Sequence, residues 1–300
     1  MSIRLTIAIP THNRAHTLAA TLASVADQQV PLGWQLECVV VDNNSSDRTG
    51  AIIEQAARVA PFPIRYVKEM RLGSSFARNR VLEESTGDYI LFIDDDAVAE
   101  PDWAEALVDE IERWRLDVAC GMVLPLWEVP PPKWLGPSLY IRLAVHDEGG
   151  LAGQSRANLE TIHNYFSVNA GFRRATFARY GRFREDLGVV GCNPMSGEDT
   201  ELFERIMARG GLIGFAARAR VHHRIGKERM TRAYFRRKAF AFGVGSANAG
   251  AGSHNHFDKL ARHSLRMIMA AVRGDAEGAL RHELECANFL GYWRGRLFRR

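Results

Sequence analysis

Three carboxylates stand side by side at Asp94, Asp95 and Asp96, directly after the apolar run Tyr89-Ile90-Leu91-Phe92-Ile93. Adjacent anions repel one another unless a cation lies between them. Carboxylate oxygens are hard donors suited to Mg²⁺ or Mn²⁺, ions commonly shared with bound phosphates. The plainer reading of an Asp triplet is a solvated acidic turn, and the surrounding sequence has to decide between the two. A continuous apolar strand of this kind is ordinarily buried in a parallel sheet, whose carboxyl edge opens onto the crevice where ligands bind. Such a strand delivers its acids to a cleft.

Other residue types suited to chemistry recur along the chain. Asp42 closes the run Leu36-Glu37-Cys38-Val39-Val40-Val41 and precedes Asn43-Asn44-Ser45-Ser46-Asp47, residues suited to tight turns. Its carboxylate is placed either to accept hydrogen bonds from a base or ribose or to belong to a helix cap. Arg78 brings a cation near a helix start, where backbone N–H groups also attract anions, although a solvated surface is the commoner fate of one arginine. Glu198 and Asp199 precede residues 200–206, which read as a helix. First-turn acids are ordinary there, and a helix N-terminus also keeps a carboxylate ionised, as a general base requires. The pair His222 and His223 is of a type more often structural than ligating. Trp127 and Trp134 bracket Pro130-Pro131-Pro132, which forbids helix or central strand. Those indoles either stack on sugar rings or pack a stiffened loop against the domain.

These residues are carried by alternating elements. Residues 3–9 read as a strand, 10–14 as a polar turn and 17–25 as a helix; a second strand at 36–41 leads to a helix through Ile52, Ile53 and Ala57. A third strand at 64–67 and a helix from about 76 to 84 precede the strand that bears the acids. Alternation with connections this short makes a right-handed, mostly parallel sheet flanked by helices, and gathers the polar turns on one edge. The histidine pair is expected just past a final strand. Gly243 and Gly245 are expected in a mobile loop, and residues 247–253 in a linker to C-terminal helices.

Composition narrows the class. With 300 residues, 46% hydrophobic and 25% charged, the chain is neither disordered nor fibrous and can bury a sizeable core. No apolar run approaches membrane-span length, and the N-terminal sequence lacks the pattern of a signal peptide, so a cytoplasmic setting is expected. Cys38, Cys120, Cys192 and Cys286 lack metal-ligand spacing and read as reduced thiols. The formal net charge is +4, yet arginines concentrate after residue 230, alternating with apolar residues in Leu265-Arg266-Met267-Ile268-Met269 and Tyr292-Trp293-Arg294-Gly295-Arg296-Leu297-Phe298. That pattern suits the inner face of a membrane, or a C-terminal helix whose arginines are solvated. Nucleic acid is not the expected partner.

In order and spacing, Ile9-Pro10-Thr11-His12-Asn13-Arg14, Val39-Val40-Val41-Asp42-Asn43-Asn44-Ser45-Ser46-Asp47, Ala77-Arg78-Asn79, Phe92-Ile93-Asp94-Asp95-Asp96, Val168-Asn169-Ala170-Gly171-Phe172 and Ser196-Gly197-Glu198-Asp199 resemble the family 2 glycosyltransferases. The resemblance implies a GT-A fold, α/β with a Rossmann-like sheet, over residues 1–245: a nucleotide-binding half at 1–120 and an acceptor and catalytic half at 121–245. Residues 246–300 would form basic amphipathic helices. The implied reaction is inverting transfer of a sugar from a nucleotide-diphospho-sugar, by default a UDP-sugar, to a hydroxyl of a polysaccharide, glycolipid or other cell-envelope glycan. Asp42, with Pro10, Thr11, Asn13, Arg14 and Asn44, would hold the nucleoside, and Arg78 the diphosphate. Asp94 would reach the ribose or a divalent Mn²⁺ or Mg²⁺, Asp95 would be an extra acid on the nucleotide-sugar, and Asp96 would coordinate the ion, with His223 as a further ligand and His222 as the fallback. Asp199 would be the base and Glu198 its helper, with Asn169, Gly171, Trp127 and Trp134 on the acceptor side. Arg229, Arg232, Arg236 and Arg237 would close over the diphosphate.

Two rivals remain at this stage. Asp94-Asp95-Asp96-Ala97-Val98 also fits the nucleophile motif of haloacid-dehalogenase-like phosphatases, but there it follows the first strand of the domain rather than whole strand–helix units. The other rival is a non-catalytic nucleotide- or carbohydrate-binding module, which has no need of a base at Asp199.

Overall fold

The computed structural model describes residues 2–146, 165–189, 197–250 and 256–298. Two compact units divide these residues. The first comprises residues 1–126, 144–185 and 199–224, and the second residues 127–143, 186–198 and 225–300.

The first unit is built on the apolar strands expected from the sequence. Strand β1 (Arg4–Thr11) leads through α1 (Ala15–Ala26) to β2 (Gln35–Asp42), and α2 (Thr49–Val59) leads to β3 (Ile64–Lys68). Helix α3 (Ser74–Glu84) then returns the chain to β4 (Tyr89–Ile93), every residue of which is buried. The remaining elements are β5 (Ala97–Ala99), α4 (Trp103–Trp114), β6 (Val118–Trp127), β7 (Asn169–Arg173), α5 (Arg174–Tyr180), α6 (Glu198–Ala208) and β8 (Ile213–Ile225). They make one eight-stranded sheet in the order β3-β2-β1-β4-β7-β6-β8-β5. Strands β3, β2, β1 and β4 are parallel. Beyond β4 the sheet turns antiparallel, at the β4–β7, β6–β7 and β5–β8 ladders.

The parallel half fixes where a ligand can lie. From β1 the chain winds outward through β2 to β3, then crosses back to lay β4 on the other side of β1. Connections therefore depart in opposite directions at the carboxyl ends of β1 and β4, which leaves a crevice at this switch point. Register carries Thr11 opposite Asp42 at the same edge. Aromatic rings fill the core beneath: Phe172 meets Phe92 edge-on at 5.7 Å and stacks on Phe203 at 6.1 Å.

Two expectations are corrected here. His222 and His223 lie within β8 rather than after it, paired with Val98 and Ala97 of β5. The arginines between them and the strand start alternate with buried apolar residues, the signature of a strand with one wet face. In the second unit, Gly243 and Gly245 lie inside α7 (Arg232–Ala249), which also takes in Ala247, Asn248 and Ala249 from the expected linker. Both glycines are buried, and a Cβ on Gly243 would strike the Asn288 carbonyl of α9 (Ala276–Leu297). A Cβ on Gly291 of α9 would strike the Phe240 carbonyl in return. Glycine here allows two helix backbones to touch, and supplies no hinge.

Helix α8 (His256–Val272) packs on α9, which starts at an Asp275 cap accepting from Gly278 N–H. No helix among the described residues is long and apolar enough to cross a membrane.

Candidate active site

The carboxyl end of β4 turns immediately: the Ala97 N–H donates to the Asp94 carbonyl, and the Arg224 N–H of β8 donates to the Asp96 carbonyl. Asp94 and Asp96 are thereby fixed by backbone bonds on either side of Asp95. Arg78 faces the first of the three acids and Arg14 the other two. Arg78 Nη2 lies 3.7 Å from Asp94 Oδ1, Arg14 Nε 3.7 Å from Asp95 Oδ1, and Arg14 Nη2 3.9 Å from Asp96 Oδ2. His223 Nε2 is 3.2 Å from Asp96 Oδ1. Side chains alternate across a strand, so His222 points the other way, to Glu100 at 3.2 Å.

This concentration of charge shows in the proton affinities. Burial raises the Asp94 carboxyl above its ordinary value and Asp96 and Asp199 add to the rise, against Arg78 and His223. Burial, with Asp96 and Asp94 beside it, pushes Asp95 up to about 8 against the pull of Arg14 and the Thr11 hydroxyl. At these separations of 3.7–3.9 Å the guanidinium groups pair with the acids through charge.

Asp199 belongs to the same electrostatic environment, since its charge contributes to the rise at Asp94. It stands in the first turn of α6. Its Oδ1 accepts from Thr200 N–H at 2.8 Å, and its Oδ2 from the Ser167 hydroxyl at 3.1 Å and the Ser167 N–H at 3.4 Å. Nothing in the sequence around Ser167 signalled that role. Glu198 turns back on its own chain and accepts from Gly197 N–H at 3.0 Å.

At the ends of β1 and β2 a polar lattice replaces the ladder. Asp42 is buried; its Oδ1 accepts from Ser45 N–H and its Oδ2 from the Tyr66 hydroxyl, both at 2.8 Å. Asn13 and Asn44 both hold positive φ, 53° and 60°, conformations in which asparagine is favoured among residues with side chains. Asn13 Oδ1 accepts from Ser46 N–H at 2.8 Å, and the Asn13 N–H donates to Ser45 Oγ. Pro10 lies in β1 beside Val41, and Thr11 is buried.

Asn43, which sequence reasoning treated only as a turn residue, ties this lattice to the next loop. Its amide donates to the Glu69 and Arg71 carbonyls, and its Oδ1 accepts from Gly73 N–H at 2.7 Å. That fixes the start of α3, and with it Arg78, which is buried beside the Phe183 ring at 5.6 Å.

Four residues expected on the acceptor side have defined contacts within the fold. The Asn169 amide is fully buried, accepts from Trp103 Nε1 at 2.7 Å and donates to the Met122 and Ala219 carbonyls, both at 2.9 Å. Gly171 packs against Leu91, Leu107 and Ile111, close enough that a Cβ would press on them. Trp127 meets Tyr140 edge-on, and Trp134 meets Phe235 with the Arg232 guanidinium over its ring. Arg236 is bound to Glu283. The contacts of these arginines and indoles lie within the second unit. Ser196 and Cys192 lie outside the described residues.

A mixed sheet with acids and cations at the β1/β4 switch point defines a GT-A glycosyltransferase architecture. The chain belongs to the glycosyl transferase family 2, whose family model matches residues 6–181. It is 30% identical over 244 residues to the succinoglycan biosynthesis protein ExoM of Rhizobium meliloti, covering 81% of this chain and 74% of that one. Against the glucosyl-dolichyl phosphate glucuronosyltransferase of Haloferax volcanii it is 27% identical, covering 75% and 70%. Among solved structures, the mannosyltransferase PcManGT from Pyrobaculum calidifontis, in complex with GDP-Man and Mn²⁺, matches with a TM-score of 0.66 at 19% identity, over 99% of this chain and 88% of that one. TarS 1–349 of S. aureus in complex with UDP matches with a TM-score of 0.55 at 16% identity, over 98% and 90%. The match spans 55% of the longer TarS chain. The chain is thus a glycosyltransferase, with relatives in polysaccharide and glycolipid synthesis.

Proposed function

We propose that the chain is a metal-assisted, inverting transferase that moves a sugar from a nucleotide-diphospho-sugar, a UDP-sugar in the first instance, to a hydroxyl of a glycan or lipid-linked acceptor in the cytoplasm. The observation that carries this reading is the shared environment of Asp94, Asp95, Asp96, Arg78, His223 and Asp199, which puts an acid cluster, a phosphate-sized cation and an anchored carboxylate together. Solved relatives of this fold hold UDP, UDP-GlcNAc or GDP-Man, which supports a nucleotide-sugar donor. The relatives named for succinoglycan and dolichyl phosphate support a glycan or lipid-linked acceptor.

The residues fit a divalent ion in donor chemistry: hard oxygens, with a raised proton affinity that a cation would relieve. Among the described residues no three His, Cys, Asp or Glu side chains converge to hold an ion alone. Asp94 and Asp96, with His223 beside them, would therefore bind it together with phosphate oxygens and water. When bound, the ion supplies charge stabilisation to the departing diphosphate.

The chain's own groups account for the rest. Asp42 and the turns at Asn13 and Asn44 bind the nucleoside, while Arg78, held by Phe183 and the start of α3, receives the charge that develops on the diphosphate. Asp199 takes the proton of the acceptor hydroxyl as that oxygen attacks the anomeric carbon, and the bond to the diphosphate breaks on the opposite face. One displacement of this kind inverts the anomeric centre. Glu198 helps orient the acceptor. In this proposal residues 1–120 handle the donor, 121–245 the acceptor, and 246–300 are accessory.

The test is a thermal-shift screen of nucleoside diphosphates and nucleotide-sugars with and without Mn²⁺. A ligand at a hundredfold excess over its Kd stabilises by about 2.7 kcal/mol. One nucleotide is expected to raise Tm, and to do so more with Mn²⁺ present; no response to any nucleotide would contradict the reading.

A further inference from the structure

Helix α8 exposes an apolar stripe that its own fold leaves uncovered. Leu265, Ile268, Met269 and Val272 follow the i, i+3, i+4, i+7 spacing of one helix face, and are 60%, 56%, 43% and 82% exposed. The opposite side of the helix, through Leu260, His263, Ser264 and Met267, is less exposed, and there His263 and Ser264 meet His282 and Cys286 of α9. The stripe is therefore not the face that packs.

One of its margins is basic, and the acid Asp258 stands on the stripe's side of the first turn. At about 100° per residue, Lys259, Arg262, Arg266 and Arg273 fall within about 60° of one another, along one margin of the stripe. Long basic side chains beside a row of branched and thioether side chains match the cross-section of a bilayer surface, where acyl chains lie under anionic headgroups. A water-soluble partner with the same complementarity would need an apolar ridge edged with acids along about four turns of helix. An anionic membrane offers that chemistry without any shape requirement.

We propose that α8 is an interfacial anchor that lies flat on an anionic lipid surface, with Leu265, Ile268, Met269 and Val272 in the acyl boundary and Lys259, Arg262, Arg266 and Arg273 on the headgroups. The proposal rests on α8 alone and stands apart from the choice of donor or base.

The test uses the full chain and sedimentation with vesicles of phosphatidylcholine, or of equal parts phosphatidylglycerol and phosphatidylcholine. The wild type should partition onto the anionic vesicles, less so at high salt, and Leu265→Glu with Ile268→Glu should lower the partition coefficient at least about tenfold. Arg262→Gln with Arg266→Gln should weaken anionic binding alone, by about tenfold. Hydrogen exchange across residues 256–272 should slow on the vesicles, a readout independent of any variant's folding. Equal binding by the wild type and the acidic variant, or no protection of α8, would overturn the proposal. So would a wild-type dimer in solution that the acidic variant dissociates, because a second copy would then cover the stripe.

Discussion

Asp199 is anchored at both oxygens, and Ser167 donates two of the bonds that hold it. Ser167→Ala should therefore act through Asp199: kcat should fall about tenfold with KM for the donor little changed, and the acidic limb of the pH–rate profile should move. A merely structural serine would leave that profile in place. Asn169 makes the opposite case. Its amide completes Trp103 and two carbonyls inside the sheet, so Asn169→Leu should cost at least about 2 kcal/mol in urea denaturation, since buried polar groups lose their partners. Residue types that stand alone were legible from the chain: an acid triplet after an apolar strand, or paired acids before a helix. Ser167, Asn43 and Tyr66 were not, because their importance comes from partners distant in sequence, 32 residues for Ser167 with Asp199 and 24 for Tyr66 with Asp42.

Among the elements, α7 and α9 are held close by glycine. Gly291→Ala should force the Phe240 carbonyl aside and destabilise the chain by about 1–3 kcal/mol, read from its denaturation midpoint. Glycine in sequence signals either a flexible turn or a close approach, and only the partner helix distinguishes them; that is why α7 reads as loop and linker. The parallel strands and their helices were readable to within a few residues, since apolar periodicity is local.

The α8–α9 contact also titrates. His263 and His282 face each other at 3.1 Å, with Lys259, Arg262, Arg266 and Arg281 nearby and Glu285 opposing them. Burial and these cations lower both histidines below the ordinary 6.5. The unfolded chain then binds more protons than the native one as pH falls through 6.5, so stability should decline there and level off below the native values. Melting curves across that range should show the decline, and His263→Gln with His282→Gln should flatten it.

For the molecule as a whole, the family and fold follow from the order of motifs along the chain, because strand–helix units can wind only one way and must bring their carboxyl ends to one edge. The antiparallel half beyond β4 was less legible. Its strands are separated by residues 147–164 and 190–196, and its pairings join segments far apart in sequence. The switch point brings the donor-binding turns and the acid cluster together, and Asp199 shares the field of Asp94. A binding module would keep the first two and have no use for the third.

Asp199→Asn separates these cases most directly, with nucleotide binding measured by calorimetry and sugar transfer measured on the same preparation. The account predicts that the nucleotide Kd stays within about threefold while transfer falls by about 10²-fold or more. Transfer at the wild-type rate, or loss of binding together with transfer, would contradict it.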